Sequence, residues 1–208
     1  MKTLDEKPGL LFYLGWVFLN IFAVIVAWFI AWALIKQITS IVGDRIMIGG
    51  QSRITEDAIF LYTLLPVIGL LIGTSQYWLL RHYLPRMSWW IAATVIGWLM
   101  PFVIGFIGSR IFGPGNDSLS IMLGMLILGA SISLPQWLVL RQRVKHAYLW
   151  ILAYGLSWFL IGVMNYVTTE PFPVLLAISL IPTITTGTIL WLFLDWYPTY
   201  SPQLKLEQ

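Results

Sequence analysis

The chain has 208 residues, 59% of them hydrophobic and only 10% charged, with a mean hydropathy of +0.82 and a formal charge of +3. That leaves too little polar surface to coat a water-soluble globule of this size, so composition places the chain in lipid. Cysteine is absent, which excludes disulfides and thiol chemistry.

Six runs supply the roughly 20 predominantly apolar residues needed to cross the hydrocarbon: 10–35, 58–80, 89–109, 119–140, 147–167 and 173–194. The tails before Gly9 and after Tyr197 are expected to carry no soluble module, so residues 1–208 read as a single membrane domain. The first run follows Lys2 and Lys7 and contains Ala31-Trp32-Ala33, elements of a secretory signal. It is too long for a signal's apolar core and reads as the first span. Along it Ala23, Ala27 and Ala31 form a helix-packing face that admits a close neighbour, either internal or from another subunit. Trp28 and Trp32 flank that face near Asn20 and suit a lipid-facing aromatic rim, the preferred reading, or a bound planar ligand.

The longest connection, 36–57, alternates apolar residues (Ile38, Ile41, Val42, Ile46, Met47, Ile48) and breaks at Gly49-Gly50. It suits either an interfacial or re-entrant piece or an irregular lid. Thr55 followed by Glu56 and Asp57 predicts an N-cap with acids in the first turn, and Asn116-Asp117-Ser118 predicts another. Pro171 and Pro173 suit the opening of the sixth helix, where a missing N–H costs nothing.

Residues 69–98 recur at 129–158 without a gap. Gly69, Ile72, Gln76, Leu80, Arg81, Trp90, Ile91, Ala93 and Trp98 reappear as Gly129, Ile132, Gln136, Leu140, Arg141, Trp150, Ile151, Ala153 and Trp158, nine identities in thirty. This is a duplicated helical hairpin. A shorter match aligns Leu190–Asp195 with Gln136–Arg141, and Gly15-Trp16 with Gly97-Trp98 and Ser157-Trp158. It leaves open a third, permuted copy that pairs helix six with helix one around a pseudo-threefold axis. The expected fold class is therefore an all-α membrane protein of six transmembrane helices built from duplicated hairpins.

With six spans, Lys2, Lys7, Arg81, Arg86, Arg141, Arg143, Lys145 and Lys205 lie on one side, eight against the four of Lys36, Arg45, Arg53 and Arg110. The excess puts both termini in the cytoplasm, as in a bacterial inner membrane. The rim arginines with Lys145 read as this topology signal or as a site for anionic lipid headgroups. Asp195, aligned with Arg81 and Arg141, is expected to pair with one of them. Trp89, Trp90, Trp150, Trp196 and Tyr197 read as an aromatic belt at the same headgroups, and Trp16, Trp98 and Trp158 as core packing.

Gln76 and Gln136 stand five residues before their arginines, about 7.5 Å inside the hydrocarbon at 1.5 Å per residue. Thr183, Thr185, Thr186 and Thr188 stand at comparable depth in the sixth run. Such groups avoid lipid. They serve either as hydrogen-bond glue between helices or as a polar intramembrane site, for which Gln76, Gln136, Thr183 and Thr186 are the candidates. Pro66, Pro101, Pro135 and Pro182 fall inside helices and free carbonyls there.

His82 and His146 lie on basic turns outside any carboxylate cluster, so no metal or catalytic site is expected. No cofactor is called for beyond bound lipid, and whether a pigment sits among the tryptophans stays open. Nothing offers a nucleic acid a platform. The expected function is an accessory or scaffold subunit with membrane partners. The rival is a small-solute or lipid transporter, or a substrate-binding membrane subunit, using Gln76 and Gln136.

Gln136-Trp137-Leu138-Val139-Leu140-Arg141, with Gly129 before and Trp150 after, resembles a group of poorly characterised multi-pass bacterial membrane proteins, many cyanobacterial, that repeat such hairpins. The resemblance covers about 30 residues twice and implies a membrane architecture, with a thylakoid location as one setting; it brings no catalytic residues. Ala23, Ala27 and Ala31 resemble the partner-docking faces of the substrate-binding subunits of energy-coupling-factor vitamin transporters.

Overall fold

In lipid no water is available to satisfy exposed N–H and C=O groups, so long apolar runs pair them internally as helices. The computed structural model describes residues 9–48, 50–84, 87–111, 118–167 and 171–196. These form α1 (Leu10–Val42), β1 (Arg45–Ile48), β2 (Gln51–Ile54), α2 (Thr55–Leu80), α3 (Trp90–Ile111), α4 (Ser118–Leu140), α5 (Tyr148–Val167) and α6 (Pro171–Trp196). Four helices, α1, α2, α4 and α5, are long and apolar enough to cross a membrane. Among the described residues α3 and α6 carry shorter apolar stretches, 90–104 and 177–193.

The connection after the first span differs from expectation. Helix α1 continues to Val42, 33 residues or about 50 Å, and the remainder is a β-hairpin, so the fold is not purely helical. Gly43, at φ 93°, ends α1 in a conformation that side chains resist. Gly50, at φ 79°, helps turn the hairpin, whose register pairs Arg45 with Ile54 and Ile48 with Gln51. Thr55 does not cap α2 with its side chain. Its hydroxyl donates to the Gly43 carbonyl at 2.6 Å and its N–H to the Asp44 carbonyl at 2.9 Å, which locks the hairpin against the end of α1. Lys36 and Glu56 form an ion pair between α1 and α2. Residues 116 and 117 of the expected second cap lie outside the described residues.

Each helix packs on the next in the chain, and α6 returns to α1 to close a ring. Large apolar side chains such as Phe18, Phe29, Trp32 and Leu156 face outward, while Asn20, Gln76, Thr94, Gln136 and Ser157 are buried. This polarity is inverted relative to a soluble domain. Residues 69–98 and 129–158 share one burial class at every position described in both, except 70, 71, 89, 92 and 95 and their counterparts. The repeated glycine shows why the two hairpins pack alike. A Cβ on Gly129 would come within 2.6 Å of the Tyr154 carbonyl oxygen and 2.7 Å of Trp158 Cβ, and one on Gly69 within 3.1 Å of Trp98 Cβ. Only a bare backbone lets the returning helix approach this closely.

Candidate functional site

Inside the ring the two repeated glutamines meet. Gln76 on α2 and Gln136 on α4 are almost completely buried, at 1% and 0% exposure, and Gln136 Nε2 lies 3.4 Å from Gln76 Oε1. Gln76 Nε2 donates to Asn20 Oδ1 at 2.8 Å, and Gln136 Nε2 donates to Thr94 Oγ1 at 2.9 Å. The Trp90 indole donates to Gln76 Oε1 at 3.1 Å and the Trp150 indole to Gln136 Oε1 at 3.0 Å. Asn20 Nδ2 donates to the Trp16 carbonyl at 2.7 Å, and the Trp16 indole to Thr186 Oγ1 at 3.3 Å. The Tyr154 hydroxyl lies beside both glutamines. All six helices thus supply a member of one polar network.

This corrects the reading of Trp90 and Trp150 as belt residues. Both are fully buried, whereas Trp89 is 73% exposed. The reason is helix rotation: at about 100° per residue, Trp90 turns inward where Trp89 turns out. An indole of an odd-numbered helix donates to a polar side chain of an even-numbered one three times: Trp90 to Gln76, Trp150 to Gln136 and Trp16 to Thr186. Four residues beyond each of these tryptophans stand Thr94, Tyr154 and Asn20, all buried. On α6 the acceptor for the Trp16 indole is Thr186, one turn before Leu190, the residue that the short third match sets beside Gln136. Trp150 stacks edge-on with both Trp16 and Trp90, at 6.2 and 5.9 Å between ring centres.

No family model, curated protein or solved structure matches the chain. The site must be read from its own geometry.

Beside the network, on the hairpin-bearing half of the ring, a cavity of about 480 Å³ opens between α1, α2 and α6. Asn20 and Thr186 belong to both features. Thr183 lines the cavity and meets the network through its backbone carbonyl, which accepts from the Thr186 hydroxyl at 3.3 Å. The remaining wall is almost wholly apolar or aromatic, including Val24, Leu64, Ile68, Trp98 and Trp158. Trp28 and Trp32, read as a lipid-facing rim, are both exposed, and Trp28 also packs 5.2 Å from Phe60 and borders the cavity.

The alanine face is fully used inside the chain. Ala23, Ala27 and Ala31 are buried at 5%, 0% and 0% exposure, so they offer no docking surface to another subunit. At the basic turns, Arg81 and Arg141 are exposed, with their guanidinium groups 6.0 Å from Trp78 and 5.0 Å from Trp137. Arg143 is half-buried and Lys145 exposed. Arg86 and the Asp195 side chain, and with them the expected ion pair, lie outside the described residues. Thr74, Ser75, Thr185 and Thr188 return their hydroxyls to carbonyls of their own helices, which satisfies them without a partner helix. Sequence reasoning noticed Asn20 but missed its link to Gln76. The missed signal is a buried polar or tyrosine residue four positions after each inward tryptophan.

Proposed function

We propose that the chain is a non-catalytic integral membrane protein, built from three copies of one helical hairpin, that serves as a scaffold or accessory subunit of a larger bacterial membrane assembly. On this reading all six helices cross the bilayer and both termini are cytoplasmic, in keeping with the Lys and Arg excess on that side. The observation that carries it is the closed network. The polar groups at the ring's centre are bonded to one another, so water and polar solutes have no ready path through this level.

A transporter that used Gln76 and Gln136 would have to break these bonds each cycle and leave buried amides unmet, at about 1–3 kcal/mol per group. The sealed centre favours a fixed part over a moving one. Partners would engage the outer apolar faces, where Phe18, Phe22 and Trp32 are exposed. The turns bearing Arg81, Arg141 and Lys145 would sit against anionic headgroups.

Gentle extraction followed by native mass spectrometry tests this. A complex heavier than the 23.8 kDa chain, containing a second polypeptide, is expected. A bare monomer that equilibrates a polar solute across liposomes would overturn the proposal.

A further inference from the structure

The cavity is walled on one side by two tryptophans and on another by a smaller residue, Val24. Eight residues beyond Trp90 and Trp150, about two helical turns, stand Trp98 and Trp158, whose rings meet edge-on at 6.0 Å. Eight residues beyond Trp16 stands Val24. Val24, Trp98 and Trp158 all line the cavity, and Val24 is the smallest side chain of the three.

The same two tryptophans carry an unmet chemical need. Trp98 and Trp158 are 94% and 92% buried, the complements of 6% and 8% exposure. Neither indole nitrogen has a hydrogen-bond partner among the described residues. The inner tryptophans Trp16, Trp90 and Trp150 all have one. A buried donor without an acceptor is destabilising, because it has given up its bond to water and gained none. An edge-to-face pair can turn one N–H toward the other ring, a weak acceptor, but it cannot serve both donors that way.

We propose that this cavity binds a neutral, carbonyl-bearing molecule from the lipid phase, its oxygen accepting a hydrogen bond from the Trp98–Trp158 pair. The apolar body of the ligand lies beside Val24 and emerges past Ile25, Trp28 and Phe29, which are 49%, 38% and 70% exposed. Because the two nitrogens are closed off from the cavity surface, binding turns an indole to present its N–H. The ligand is an acceptor because the unmet groups are donors. It is neutral because, among the described residues, no charged side chain lines the cavity, and an unpaired charge there would be strongly penalised. The volume falls in the range of small-molecule sites. Both a ring carbonyl, as in a quinone, and the ester carbonyl of an acyl lipid meet these requirements.

The test uses the full-length protein in dodecyl maltoside, a detergent without a carbonyl group. Decylubiquinone, methyl oleate and 1-octadecene are added separately, and retained adducts are weighed by native mass spectrometry. At least one carbonyl probe should be held about tenfold better than octadecene. Retention of the quinone alone assigns a ring carbonyl, of the ester alone an acyl lipid, and of both the carbonyl regardless of source; each outcome supports the proposal. The Trp98→Phe/Trp158→Phe variant should lose the carbonyl preference while holding octadecene no worse. Val24→Trp should fill the cavity, fold at least as stably and hold no probe. If the double variant does not fold, Val24→Trp and the single Trp158→Phe carry the test. The proposal fails if no probe is held, if octadecene is held equally well, or if either kind of variant binds the carbonyl probes as the unaltered chain does.

Discussion

An amide side chain in the middle of a membrane protein is stable only when its donors and acceptor are met, and Gln76 meets three partners from three other helices. Gln76→Leu preserves bulk but leaves Trp90 Nε1 and Asn20 Oδ1 unmet, at about 1–3 kcal/mol each. Gln136→Leu does the same to Trp150 and Thr94. Each variant should unfold at a distinctly lower temperature in detergent, followed by circular dichroism. Because the glutamines also contact each other, the double variant should lose less than the sum of the singles. Strict additivity would show that the two amides act separately. Thr186→Val, which removes one long 3.3 Å acceptor, should cost less than either glutamine, closer to the 0.6 kcal/mol typical of bonds between membrane helices.

Between helices, distance of approach is set by glycine. At Gly97 on α3 a Cβ would collide with the backbone carbonyl oxygen of Ile132 on α4, and no side-chain movement can relieve that contact. At Gly124, also on α4, a Cβ would meet nothing within 4 Å. Gly97→Ala should therefore force α3 and α4 apart and destabilise by about 1–3 kcal/mol or more. Gly124→Ala should be neutral or stabilising by up to about 1 kcal/mol through helix propensity. Comparable unfolding midpoints for the two variants would refute this account of the α3–α4 crossing. Hairpin pairing was legible in the sequence because Gly69 and Gly129 recur with the rest of the motif. The crossing at Gly97 was not, since its counterpart is Ser157 and the demand comes from a neighbouring helix.

For the molecule as a whole, the absence of cysteine makes topology directly measurable. Single cysteines at Ser52 in the β-hairpin and Gln142 in the α4–α5 turn, both exposed, should react with a membrane-impermeant maleimide from opposite sides of the bilayer. Reaction from the same side would refute the six-span arrangement. Composition makes helices long and apolar enough to cross a membrane, and the 60-residue offset aligns one stretch with the other, because hydrophobicity and repetition are properties of the chain read in order. That was enough to single out Gln76 and Gln136. It misassigned Trp90 and Trp150, because the partner an indole reaches depends on how each helix is rotated when six of them pack. The cavity was beyond reach for a deeper reason. It is a space and not a residue, so it has no letter in the chain; it arises only when α1, α2 and α6 meet around Trp98 and Trp158.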